Sequence, residues 1–236
     1  MVKKKRVPIV FEDDAVIVCE KPAGMPVQSD HTRDMDVLTI LKHHIFEEQN
    51  SEEEPYLAVV HRLDRPVGGL MVLAKTKEAA ANLSEQIQNF EFEKNYQAVV
   101  CGNLREDFGT FEDYLLKNGK TNKTEVVKAG TPGARKAELD YELIDCIETK
   151  EGVLTWILVI LHTGRHHQIR VQMAHAGMPL AGDRKYGAGT NVTIGAGSLA
   201  LCAASLTFFH PITGKVMKFV TKPEGTEFKG ISIPQM

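Results

Sequence analysis

Apolar runs of strand length follow one another along this chain with only short polar turns between them, and few are separated by a helix-length segment. The clearest cases are "LAVV" at 57–60 before "GLMVLAK" at 69–75, the runs at 137–147 and 152–161, and "SLALCAASLTFF" joined to "KVMKFV" through "HPITG". Strands connected so directly must pair antiparallel, because a parallel pair needs a crossover of about a dozen residues or more. The pattern predicts an α+β fold on a central mixed, mainly antiparallel sheet flanked by helices and loops, and it excludes a doubly wound parallel sheet. Further strands are expected at 15–19 and over "NYQAVVCG".

Three segments carry helical spacing. "VLTILKHHIFEE" places Val37, Leu38, Leu41 and Ile45 on one face and runs into the acidic stretch "EEQNSEEEP", read as an exposed loop. In "TKEAAANLSEQIQNF", Thr76 can cap, Glu78 suits the positive end of the helix dipole, and Ala79, Ala80, Leu83 and Ile87 form the apolar face. The third holds Ile169, Met173 and Ala176 and stops at Gly177, where a left-handed residue is needed. Residues 117–136, rich in Lys, Thr and Gly, read as a long loop or loose hairpin.

The 43% hydrophobic and 25% charged composition is that of an ordinary globular chain, and a net charge of −3 gives no global basic signal. Cys19, Cys101, Cys146 and Cys202 form no C-x-x-C pair, so free thiols in a reducing cytoplasm are expected. The basic start "MVKKKRVP" is followed at once by Glu12, Asp13 and Asp14, unlike a signal peptide, and "VLTWILVIL" is far too short to span a membrane. With no repeat and no clear linker, the expected organisation is a basic arm over 1–10 and one domain over 11–236.

Familiar phosphate, dinucleotide and zinc-enzyme motifs are absent: in "GAGTNV", Val192 stands where the last glycine is needed. His162, His166 and His167 cluster, but Thr163 and Gly164 interrupt any shared helical turn, so no metal is expected. Two segments stand apart. In "HRLDRPVGG", an extended backbone points Arg62 and Asp64 to the same side, and in "TGRHHQIR" Arg165 precedes Gln168 and Arg170. Alone, each reads as a structural turn with a surface ion pair. Together they offer a carboxylate, several arginines and an amide, the parts needed to hold an anion and a planar polar base. Arg165, Arg170, Arg184 and Lys185 face only Asp183 over 162–187, and Lys117, Lys120, Lys123, Lys128, Arg135 and Lys136 precede them, charges that suit a phosphate backbone.

"HRLDRPVGGLMVLAK" closely resembles the H-R-L-D-x-x-T-S-G-L segment of the RluA family of pseudouridine synthases, and four more segments resemble that family in order: "VIVCEKPAGMPV", "KNYQAVVCG", "LHTGRHHQIRVQMAHAGMPLAGDRKYG" and "LALCAASLTFFHPITGK". The resemblance runs from about residue 11 to 223 and implies a catalytic domain that isomerises uridine in ribosomal or transfer RNA without a cofactor or metal. It implies that Asp64 acts on the ribose, that Tyr96 packs on the base and assists the final proton loss, and that Arg165 pairs with the aspartate. Arg62, Lys94, His167, Gln168 and Arg170 are implied at the RNA and Leu201 in the base pocket.

The chain departs from the pattern at Val67, Gly68 and Gly69, which replace T-S-G, at His166 after T-G-R, and at Cys202 in place of a histidine. Many relatives carry a small RNA-binding domain first. Here substrate choice is expected to come from the catalytic domain, the basic arm and the 117–136 loop, with the protein a monomer. The alternatives are a catalytically silent RNA-binding protein on the same fold, and a hydrolase using Asp64 with His61.

Overall fold

A computed structural model describes residues 6–29, 34–49, 53–150, 152–187, 198–223 and 228. The first half of the basic arm, the middle of the acidic loop and most of "GAGTNV" lie outside these residues. The chain forms two compact units, one from residues 1–94 and 203–222, the other from 95–202 and 223–236.

The first unit begins with β1 (Ile9–Glu12) and β2 (Val16–Lys21), an antiparallel pair. Its turn is held by Asp13 Oδ1, which accepts the N–H groups of Ala15 and Val16 at 2.9 Å each. Ile9 and Val10 therefore belong to a strand, inside the segment read as an arm. Next to β2 lies β4 (Gly68–Ala74), in register from Val16 opposite Ala74 to Lys21 opposite Gly69, then β10 (Leu201–Phe209). The short β3 (Ala58–Val59) pairs with β4, and β11 (Val216–Val220) with β10.

Helix α2 (Lys77–Gln88) follows β4 as its spacing predicts: Thr76 Oγ1 accepts the N–H of Ala79 at 3.1 Å, and Ala79 and Leu83 are fully buried. They pack with Val16, Val18, Leu70, Val72, Phe92, Leu206 and Phe208. The alternate residues Ile17, Cys19, Met71 and Leu73 are also sealed from solvent, which is why β2 and β4 read as continuous apolar runs. Helix α1 (Val37–Gln49) buries Val37, Leu41 and Ile45, the expected face, with Leu38 at its margin.

The second unit is an antiparallel sheet in the order β5 (Glu93–Cys101), β9 (Gly152–Leu161), β8 (Arg135–Thr149), β6 (Phe108–Asn118), β7 (Lys123–Val127). Trp156 is fully buried beside Val99, Leu154 and Ala200. The stretch read as a loop or loose hairpin is a paired hairpin, and β6 before it is a strand that the sequence pattern hid. Its apolar residues do not alternate, and Phe108 is 75% exposed, so the strand is imposed by backbone pairing with β7 and β8 on either side. Helix α3 (Gln168–His175) ends with Gly177 at φ +80°, its N–H donating to Ala174 O while Met178 N–H donates to Met173 O. That paired closure is the reason for the glycine.

Candidate active site

In the first unit, Asp64 sits half-buried between β3 and β4, in a tight turn closed by Val67 N–H on its carbonyl at 2.9 Å. The backbone around it is held from beneath by Lys21. This ammonium, at the end of β2 in a residue 1% exposed, donates to the carbonyls of Pro22 at 3.1 Å, Met25 at 2.8 Å and Arg65 at 3.1 Å. Gly24 N–H also donates to Arg65 O at 2.8 Å, so the Pro-Gly turn and the Asp64 turn form one block. Burial pushes Lys21 down to about 8, while the carboxylate of Asp64 pulls the other way.

The two glycines after Asp64 answer to close approach. A Cβ on Gly68 would lie 3.3 Å from Ala23 N, and one on Gly69, at φ +116°, would lie 2.3 Å from Ala203 O. No side chain fits the second position, and the first is tight.

His61 is half-buried, edge-on against Phe92 with ring centroids 5.2 Å apart, and its Nε2 accepts the N–H of Val72 at 3.1 Å. The ring proton is therefore assigned to Nδ1, a buried atom with no hydrogen-bond partner. Burial, and to a lesser degree the charge of Lys94, holds His61 at about 3. With its basic lone pair already used and its charge suppressed, His61 does not fit the base of a hydrolase. Arg62 and Arg65 are exposed, and the Arg65 guanidinium pairs with Asp34 and donates to Gly24 O. Lys94 lies over the Phe92 ring at 5.6 Å, and burial lowers its pKa.

In the second unit, Tyr96 is a buried position of β5 opposite Val159, and Leu201 is buried at the start of β10. Arg165 stands exposed on the loop between β9 and α3, its Nε donating to Lys136 O at 2.8 Å. Gln168 fixes that loop. Its Oε1 accepts from Arg165 N–H at 3.0 Å and Thr163 Oγ1 at 2.8 Å, and its amide donates to Glu138 O at 3.1 Å.

Arg170 makes a buried fork to Asp183, Nε to Oδ2 and Nη2 to Oδ1 at 2.7 Å each. Gln168 and Arg170, expected at the RNA, are thus committed to protein partners that shape the Arg165 loop and α3. His167, at φ +55°, hydrogen-bonds Tyr186.

Sequence reasoning gave no role to Lys21, Asp183 or Tyr186. Lys21 had a visible signal, a lysine closing the apolar run "VIVCEK". Among the described residues one trio could hold a cation, Glu12, His44 and Glu48. The Glu12 carboxylate is already bonded there by Lys75 at 2.6 Å and His44 at 2.8 Å, an ion-pair network that accounts for the cluster. No described helix is long and apolar enough to cross a membrane.

A family model described as RNA pseudouridylate synthase matches residues 15–175. An uncharacterized RNA pseudouridine synthase of Aquifex aeolicus is 32% identical over 233 residues, covering 94% of this chain and 72% of the relative. Ribosomal large subunit pseudouridine synthase C of Haemophilus influenzae is 31% identical, covering 89% of this chain, which spans 63% of that enzyme's length. Human RNA Pseudouridylate Synthase Domain Containing 1 superposes with a TM-score of 0.74 at 20% identity, over 92% of this chain and 84% of its own. That last likeness is one of fold, and it agrees with the α+β architecture the strand pattern predicts.

Proposed function

Because the chain belongs to the RNA pseudouridylate synthase family, we propose that it isomerises uridine within a structured RNA to pseudouridine, with Asp64 acting on the ribose. The observation that carries this reading is the Asp64 turn. A buried ammonium and two glycines in close approach are spent on presenting one half-buried carboxylate.

In the proposed reaction the glycosidic bond from N1 to C1′ breaks as the Asp64 carboxylate either adds to C1′ or removes a proton from C2′. The uracil turns and C5 bonds to C1′ as the Asp64 carboxylate leaves C1′ or, on the other route, returns its proton to C2′. The C5 proton is then lost as N1 gains one, so the product is an isomer of the substrate and Asp64 is regenerated. Tyr96 and Arg165 are assigned by their motif matches, Tyr96 to the base and its last proton loss, Arg165 to the supply of positive charge. Extruding the uridine costs a few kcal/mol, of which aromatic stacking returns roughly 1–3 kcal/mol.

Arg62, Lys94 and His167 are assigned to RNA contact, Leu201 to the base pocket, and Gln168 and Arg170 to holding the loop. Relatives named for the ribosomal large subunit favour ribosomal over transfer RNA as substrate. Four scattered cysteines with no C-x-x-C pair suit a cytoplasmic enzyme, taken to act as a monomer.

The test is tritium release from RNA labelled at C5 of uridine, drawn from cells lacking the gene, with wild type beside Asp64→Ala. Release by wild type alone supports the reading. Equal release by both removes Asp64 from the chemistry, and none by either, on intact RNA, removes the activity.

A further inference from the structure

The β6–β7 hairpin ends the sheet of its unit, with β7 paired to β6 alone among the described strands. An edge hairpin of that kind has little to stop it swinging, yet here it is pinned. Thr124 of β7, 5% exposed, donates its backbone N–H to the Tyr186 hydroxyl at 2.9 Å. The same hydroxyl hydrogen-bonds His167 Nδ1 at 2.6 Å. The His167 ring stacks on His166 with centroids 3.7 Å apart, and His166 Nδ1 hydrogen-bonds Thr124 Oγ1 at 2.7 Å, returning to the starting residue. Four residues from three segments form a closed ring.

Burial, with the charge of Arg170 next, holds His167 at about 3 and therefore neutral. The hydroxyl proton of Tyr186 is then assigned to His167 Nδ1, which leaves the phenolic oxygen to accept from Thr124. The segment carrying Tyr186 is itself rigid. Asp183 Oδ1 accepts the N–H groups of Lys185 at 2.9 Å and Tyr186 at 3.1 Å, and its carboxylate is forked to Arg170, whose guanidinium lies over the Tyr186 ring at 5.1 Å. Gly187 N–H closes on Asp183 O, where a Cβ would come within 2.5 Å. A second strut runs from Lys185 Nζ to Asn122 O in the hairpin turn at 2.9 Å.

On the other side, the loop holding His166 and His167 also holds Arg165, tied to β8 through Lys136, Glu138 and Gln168. The ring thus ties the hairpin to the Arg165 loop. The hairpin carries exposed Lys117, Lys120 and Lys123, whose charges suit phosphates.

We infer that Tyr186 and Thr124 are positioning residues that set where the lysine-bearing hairpin stands beside Arg165, and so how the RNA is seated. They do not take part in bond making. The inference rests on the RNA-isomerase reading above and deepens it.

The experiment compares wild type, Tyr186→Phe, Thr124→Val and Thr124→Ser as full-length chains. Tyr186→Phe keeps the ring under Arg170 and removes only the hydroxyl. On an RNA that wild type modifies, Tyr186→Phe and Thr124→Val are expected to raise KM about tenfold with kcat within about twofold, the loss of one or two buried hydrogen bonds. Thr124→Ser should stay near wild type. The double variant should be no worse than either single, since both open the same ring. Exchange of the Thr124 amide should quicken in Tyr186→Phe.

A fall in kcat at unchanged KM, or no change in either, overturns the inference. If wild type modifies no RNA, the isomerase reading fails separately. RNA affinity by filter retention and Thr124 amide exchange then decide the matter: weaker binding with faster exchange supports the positioning role, and no change in either overturns it.

Discussion

The Asp64 turn and the Arg165 loop are held by opposite means. Asp64's turn is fixed at its main chain: the Arg65 carbonyl is one of three that converge on the single Lys21 ammonium, and Gly68 and Gly69 let Ala23 and Ala203 come within contact of the backbone. Arg165 is held chiefly by side chains, through Gln168, Thr163 and the Arg170–Asp183 pair behind them. A turn fixed by main-chain approach tolerates few residues at a few points. A loop fixed by a side-chain network can drift in sequence provided the network stays satisfied, and His166, which departs from the family pattern, is absorbed there by a partner on β7.

The largest effect is expected in the second region. Arg170→Met strands Asp183 as a buried, unpaired carboxylate and should cost about 3–5 kcal/mol in urea unfolding at pH 7. Adding Asp183→Leu should recover much of that loss. A loss under about 1 kcal/mol would mean the loop does not depend on the network.

In the first region, Lys21→Met removes a charged donor from three carbonyls and should cost about 1.5–3 kcal/mol. It should also lower tritium release at temperatures where the protein stays folded, because the Asp64 turn loosens. Full activity in that variant would show the glycines suffice.

The two regions each hold a neutral histidine, which makes pH a third probe. His61 binds its proton near 6.5 when unfolded but at about 3 when folded, so its contribution is complete above 6.5 and is lost as pH falls toward 3. His61→Gln should lose about 1 kcal/mol less than wild type between pH 6.5 and 5.5, measured by unfolding at both. Identical slopes would place the titration elsewhere. The smallest effect is Arg65→Ala, which deletes an exposed pair with Asp34 and leaves the carbonyl that Lys21 holds, and should change stability by under about 1 kcal/mol. A loss equal to that of Lys21→Met would move the anchor from backbone to guanidinium.

Much of the frame was legible along the chain because its signals are local. Thr76, Gly177 and the Ala79–Leu83 face act within one or two helical turns, and directly joined apolar runs leave antiparallel pairing as the only outcome. Five ordered motifs likewise located Asp64, Tyr96 and Arg165 as candidates. What stayed hidden depends on partners distant in sequence. β6 is a strand because β7 and β8 flank it, not because its residues alternate.

Lys21, Tyr186 and Arg170 are ordinary polar residues in the sequence. The structure buries the Lys21 ammonium among carbonyls up to 44 residues away and sets the Tyr186 hydroxyl on an amide 62 residues away. The sequence by itself determined most of the elements and named the candidate reactive groups, since propensity, capping and functional-group chemistry are properties of neighbouring residues. Only the tertiary structure decided which cations are spent inside the protein and which remain on its surface. The cost of burying a charge is set by the three-dimensional surroundings of that group, which no short window of sequence contains.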